Sequence, residues 1–236
     1  AIADPGEHFK TVLYTGDGND GRSITGVGFK PDLVWVKNRS TSNSHQITDI
    51  VRGTTNALAS DLDIAEYTGE IVSLDSSGFT VSGNAQATNK STDTYVAWCW
   101  KAGGAAVSNT DGSITSQVSA NQDAGFSIAT YTGTGSAGTV GHGLGKAPSL
   151  IITKHRAGTS AGNVNWNVST SVIPGGYFEL NTTSEHNSNA SRYVTAGTNT
   201  NSFPGGYVHF NESNRTYISY CWAEIEGFSK FGSYVG

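Results

Sequence analysis

The chain has 236 residues, a formal net charge of −5, 14% charged residues, 10% aromatic residues and 30 glycines. Disorder needs high net charge and few aromatics, so this composition points to a folded, loop-rich, all-β protein. Mild acidity without a Lys/Arg cluster speaks against nucleic-acid binding, and no stretch approaches the length of apolar sequence that a membrane span needs.

In chain order, "AIADPGEH" has no signal-peptide pattern, and the chain contains no Met, so the numbering is expected to start inside a longer or processed chain. "FKTVLYTGDG" (Phe9 to Gly18) predicts a strand, β-branched and aromatic, that ends at glycine. "DGNDG" follows, with closely spaced oxygen ligands at Asp17, Asn19 and Asp20. It reads as a turn, with a bound cation as the alternative; the distal Glu of an EF-hand is missing. "GFKPDLVWVKNR" (Gly28 to Arg39) predicts an apolar strand led in by Pro31, whose missing N–H costs no ladder bond at a strand start. Lys37 and Arg39 close it, either as a solvated rim or as a contact with a neighbouring unit or an acidic glycan. "TNALASDLDIAEY" (Thr55 to Tyr67) predicts two helical turns with Asn56 as cap. "GFTVSG" (Gly78 to Gly83) predicts a strand, and "TYVAWCW" closes the first unit. There the period of two puts Tyr95, Ala97 and Cys99 on one face and Val96, Trp98 and Trp100 on the other, which suits a strand covered on both sides.

"KAGGAAVSNTDGSITSQVSANQDAG" (Lys101 to Gly125) reads as a connector, with "SITSQVSA" alternating as a strand would. The opening phrase then returns as "FSIATYTGTG" (Phe126 to Gly135), and "GKAPSLIITKHR" (Gly145 to Arg156) matches the Pro-led strand, both shifted by 117 residues. Lys154 and Arg156 stand where Lys37 and Arg39 stood. His142, in "VGHGLG", reads as a turn residue, with a ligand contact as the alternative. In "NVNWNVST" Trp166 shares a face with Val164 and Val168; burial is one reading, and an exposed apolar platform for a sugar is the other. "GGYVHF" (Gly205 to Phe210) is matched to "GFTVSG", and "TYISYCW" to the closing strand, with Cys221 offset from Cys99 by 122 residues. Both cysteines are expected to be buried free thiols.

These offsets predict two tandem β-sandwich domains, jelly-roll or lectin-like, related by internal duplication. The predicted units are 1–104, a connector over 105–124, 125–226, and a tail over 227–236 that begins a third unit or pairs with an open strand edge. Each unit is expected to keep its own interior. Chemistry-bearing motifs are missing: HExxH, zinc spacings, GxSxG and a phosphate loop do not occur. Asp61, Asp63 and Glu66 are the acids that a glycoside-cleaving pair could draw on. No cofactor and no catalytic residue are implied.

Taken together, the strings "YTGDG", "VGFKPDLVWVKNR", "YVAWCWKAGG", "NTDGSITSQVSAN", "VGHGLGKAPSLIITK" and "YISYCWAEIEGFSKFGSYVG" resemble a repeat module of tailed-phage structural proteins of the tail or tail-fibre type, many of them from marine phages. The resemblance covers most of the chain. In such proteins the closing "GFSKFGSYVG" continues into a further unit. The resemblance implies a virion or extracellular component with lectin-like sandwiches. Its expected partners are other virion proteins, further copies of itself (a trimer included) and host-surface glycans, without nucleic acid or membrane insertion. The leading expectation is a non-catalytic tail-fibre or adhesin segment. A purely structural virion component is the alternative, and a glycan depolymerase the lesser one.

Overall fold

The computed structural model describes residues 2–156, 164–189 and 191–234. The loop after the second Pro-led strand (157–163), Asn163 of the predicted sugar platform and the last two residues of the tail lie outside the described residues. The fold is all-β, with about 40% strand and about 1% helix.

The strands of the first half are β1 (Phe9–Thr15), β2 (Arg22–Ile24), β3 (Leu33–Asn38), β4 (Gln46–Asp49), β5 (Asn56–Ala57), β6 (Tyr67–Thr68), β7 (Ile71–Asp75), β8 (Gly78–Val81) and β9 (Thr94–Trp100). Those of the remainder are β10 (Val107–Asn109), β11 (Ser116–Asn121), β12 (Phe126–Thr132), β13 (Gly138–Gly141), β14 (Leu150–His155), β15 (Asn167–Thr170), β16 (Phe178–Glu179), β17 (Thr195–Ala196), β18 (Thr200–Phe203) and β19 (Thr216–Trp222). They form a four-stranded sheet, β1-β9-β3-β4, and a seven-stranded sheet, β10-β11-β12-β19-β14-β15-β16. Two three-stranded sheets, β2-β8-β7 and β13-β18-β17, and the β5-β6 pair complete the set.

Three apolar clusters fix how these layers stack. The first joins β2, β7 and β8 (Ile24, Ile71, Phe79, Val81) to one face of β3 and β9 (Val34, Val36, Tyr95, Ala97, Cys99). Another does the same in the second half, with Val140 and Phe203 on Tyr131, Ile151, Tyr217 and Cys221. A further cluster draws on both halves: Leu33, Ile47 and Leu58 meet Phe126, Ile128, Ile152, Trp166 and Tyr220. The two large sheets therefore lie face to face, and the order is three-stranded, four-stranded, seven-stranded, three-stranded. The expected private interiors exist, but a shared one lies between them. It forms because the outward positions of β9 and β19 carry large apolar side chains that would otherwise face water.

The repeated Tyr-Thr-Gly phrase has a local cause. Tyr14 Oη donates to Thr88 O at 2.8 Å, and Tyr131 Oη to Phe210 O at 2.7 Å. In each half the strand then ends on a glycine pressed against a backbone carbonyl: a Cβ on Gly16 would stand 2.1 Å from Lys90 O, and one on Gly133 2.3 Å from Glu212 O. Tyr95 and Tyr217 bracket the same loops, accepting from Lys90 N and Glu212 N at 2.9 Å.

Two predicted elements differ. Thr55 to Tyr67 is not helical: Asn56–Ala57 and Tyr67–Thr68 pair as strands, and Leu58 exchanges backbone hydrogen bonds with Ile47. Fully buried Leu58 belongs to the shared interior, and that packing outweighs the local helix propensity. Gly205 to Phe210 is a loop and turn. The strand in the place of β8 is β18, because Val208 and Phe210 offer their carbonyls to Tyr217 and Tyr131. Within the connector, "SQVSAN" does form a strand, β11, paired with β12 from Phe126 to Tyr131.

Candidate functional site

The shared interior opens at one end into a cleft of about 440 Å³. Its walls come from the ends of the central strands. Phe9 starts β1, Trp100 ends β9 and Trp35 lies on β3; Phe126 starts β12, Trp222 ends β19 and Leu150 starts β14. Strand register explains the gathering, because Phe9 pairs with Trp100 and Phe126 with Trp222. Centroids lie 4.9 Å apart for Phe9–Trp100, 5.1 Å for Phe126–Trp222 and 6.0 Å for Trp100–Trp222. The tail residues Phe228 to Phe231 form the rim, with Phe228 edge-on to His8. These tryptophans are half-buried, and among the described residues the indole N–H groups of Trp100 and Trp222 have no hydrogen-bond partner. The cleft thus offers flat apolar faces and a polar rim of His8, Ser229 and Lys230.

Deeper in the same interface lies a buried ionic cluster. Arg52 Nε meets Asp49 Oδ2 at 2.6 Å, and both side chains are fully buried. Asp49 Oδ2 also accepts from Tyr220 Oη at 2.8 Å, a contact between the halves. Glu66 takes Arg52 Nη1 at 3.0 Å and both arms of Arg156, at 3.0 and 3.1 Å. Burial alone would raise the Glu66 pKa, but the hydrogen bonds from Arg156 and Arg52 hold it below the usual range. Such a network fixes register between packed sheets, and its acids are engaged by Arg52, Arg156 and Tyr220.

The residues predicted from sequence do not converge. Trp166 is fully buried, stacks on Tyr220 at 6.5 Å and donates to Ala59 O and Leu62 O at 2.9 and 3.1 Å. It is an anchor between the halves and offers no open face to a sugar. His142 is also fully buried; its Nε2 lies 3.0 Å from Gly197 O, and burial lowers its pKa. Lys37 spans its own loop, donating to Asn38 O, Thr41 O and Asn43 O. Arg39 is exposed. Lys154 is buried against Asp63 O and His155 O, and burial pushes its pKa down to about 8. Arg156 belongs to the ionic cluster. So Lys154 and Arg156 bind the other half, while Lys37 and Arg39 stay on a local loop.

Asp17, Asn19 and Asp20 form a hydrogen-bonded turn. Asp17 Oδ1 accepts from Asn19 N at 2.9 Å, and Asp20 Oδ1 accepts from Gly83 N at 2.9 Å. Among the described residues no group of three or more His, Cys, Asp or Glu side chains is placed to hold a metal ion. Asp61 caps His45 N at 2.9 Å, and Glu66 is held by two arginines. Cys99 and Cys221 are buried free thiols, both pushed up to about 12 by burial.

Sequence reasoning missed the aromatic cleft. Its signal was the recurrence of Phe9 as Phe126 and of Trp100 as Trp222 at matched strand ends.

Fold and site together define a class: an all-β protein of stacked antiparallel sheets with an aromatic cleft where the two large sheets meet. The chain belongs to the family described as "Domain of unknown function (DUF7483)", which matches residues 4–236. No curated protein and no solved structure matches it.

Proposed function

We propose that this chain is a non-catalytic recognition module, a tail-fibre or adhesin segment of a virion, whose aromatic cleft takes a host-surface saccharide. The cleft carries the reading. Sugar rings present CH faces that stack on aromatic rings, and hydroxyls that accept from free indole N–H groups. The virion setting rests on the resemblance of the chain's motifs to tailed-phage structural proteins. We also read the two halves as duplicates of one sandwich unit; the sequence offsets of 117 and 122 residues and the matching tyrosine brackets support this. Assembly as a purely structural virion component is the second reading, and the rigid ionic joint between the large sheets favours it.

Titration of the chain with bacterial surface oligosaccharides, followed by intrinsic tryptophan emission, tests the proposal. Emission is expected to shift saturably, and Trp100→Ala or Trp222→Ala to weaken binding by about tenfold or more. Phe231→Ala, at the rim, perturbs the fold least and is expected to weaken binding less. A flat emission response across the panel would reject the saccharide reading. New reducing ends in the titrated glycans would favour the depolymerase.

A further inference from the structure

We infer that β1 is an assembly edge, at which a second copy of this chain pairs its own β1 antiparallel across a twofold axis at Thr11. The reasoning starts from hydrogen bonds. Lys101 N donates to His8 O, and Gly16 N to Asp93 O. With β1 and β9 in the register Phe9↔Trp100, rungs alternate, so Lys10, Val12 and Tyr14 turn their backbone groups toward β9. Phe9, Thr11 and Leu13 turn theirs outward. Among the described residues no hydrogen bond reaches the backbone of Thr11 or Leu13. Thr15 O is taken by Arg22.

The corresponding strand of the other large sheet shows what such an edge accepts. β12 lies beside β19 as β1 lies beside β9, but its outer side pairs from Phe126 to Tyr131 with antiparallel β11. Among the described residues no strand takes that place on β1, and the segment before Phe9 lies near Gln122 and Asp123. The usual protections of an open edge are few: β1 has no proline and no bulge, and one lysine, Lys10. Its Leu13 side chain is 63% exposed.

The occupant follows from self-complementarity. An antiparallel β1–β1 pair centred on Thr11 brings together the three residues whose backbone groups point outward. It sets Leu13 of each copy against Phe9 of the other on one face, and Lys10 against Val12 on the opposite face. The exposed leucine gains an aromatic neighbour, and two four-stranded sheets become one of eight strands. The same operation relates both copies, so the assembly closes as a dimer.

The test is sedimentation of the intact chain over concentrations up to the order of 100 µM. A monomer–dimer equilibrium is expected. Thr11→Pro removes an N–H that no β9 rung uses, and Leu13→Lys places charge at the pairing. Each should raise the dimer dissociation constant by about tenfold or more with little change in melting midpoint. Facing Thr11 residues would have Cα atoms about 5.5 Å apart, within disulfide reach, so Thr11→Cys should yield a reducible covalent dimer and Lys10→Cys far less. A monomer throughout the range overturns the inference. So does a dimer that Thr11→Pro and Leu13→Lys leave unchanged. A dimer broken by Thr11→Pro that Thr11→Cys fails to cross-link overturns the twofold register.

Discussion

The interiors of the two outer layers and the one between the large sheets are built differently. The outer clusters combine aliphatic residues with Phe29, Phe79, Phe203 and Phe210 and are closed by tyrosines whose hydroxyls tie nearby loops. The middle cluster adds Trp166, Trp100 and Trp222 and surrounds a fully buried Asp49–Arg52 pair. An apolar interface would tolerate sliding, whereas a bidentate Arg156–Glu66 contact and a Tyr220–Asp49 hydrogen bond admit one register. That register is what sets Trp100 beside Trp222 and forms the cleft.

The largest effect is expected from breaking the middle layer's ions. Arg52→Met leaves the buried Asp49 carboxylate without its cation and should cost about 3–5 kcal/mol, read from denaturant unfolding. Adding Asp49→Leu to that variant should recover much of the loss, because the uncompensated charge is then gone. If the single variant costs under about 1 kcal/mol, the two layers are held by apolar packing alone and the contrast fails.

A smaller effect separates the layers by pH. His209 packs beside Tyr207 at 4.7 Å and Tyr177 at 6.2 Å, and burial pushes its pKa down from 6.5 to about 4. Between those values the unfolded chain binds a proton that the folded chain refuses, so stability is complete above about 6.5 and is lost as pH falls toward 4. The loss is on the order of 2–3 kcal/mol. His45 and His142 shift in the same direction, also through burial. Melting curves at pH 7 and pH 4.5 should therefore differ, and His209→Gln should narrow the gap. An unchanged gap would mean that the acid sensitivity belongs to the carboxylates.

Much of this fold could be read from the chain, because strand chemistry is local. The Tyr-Thr-Gly endings, the Pro31 and Pro148 starts and the alternation of the closing strands need only neighbours in sequence. What failed depended on a second sheet. The period puts Trp100 on the large-residue face of a strand covered on both sides, but nothing in it reveals that this face meets the one carrying Trp222. Lys154 and Arg156 read as a rim because a strand-end charge usually is one; here Glu66 and Asp63 of the other half cover them. Leu58 drew a helical segment into strand pairing for the same reason. Gly205 to Phe210 looked like a strand by composition, yet its carbonyls serve the tyrosine hydroxyls.

The smallest effect compares β1 with β12 directly. Tyr14 and Tyr131 make the same hydrogen bond, but Tyr14 is half-buried at the open edge, whereas Tyr131 is 5% exposed under a strand paired on both sides. Removing the hydroxyl leaves Thr88 O or Phe210 O without that donor. Thr88 and Phe210 are both fully buried, but Tyr14 is the more exposed tyrosine, so water is expected to enter the vacated position more readily there than in the closed layer. Tyr131→Phe should therefore cost about 1–2 kcal/mol and Tyr14→Phe about 0.5–1 kcal/mol, read as differences in unfolding midpoint. Equal costs would show that β11 gives its neighbour no added dryness. If pairing through β1 takes place, the cost of Tyr14→Phe should rise toward that of Tyr131→Phe as protein concentration increases, because a second copy would then exclude the same water.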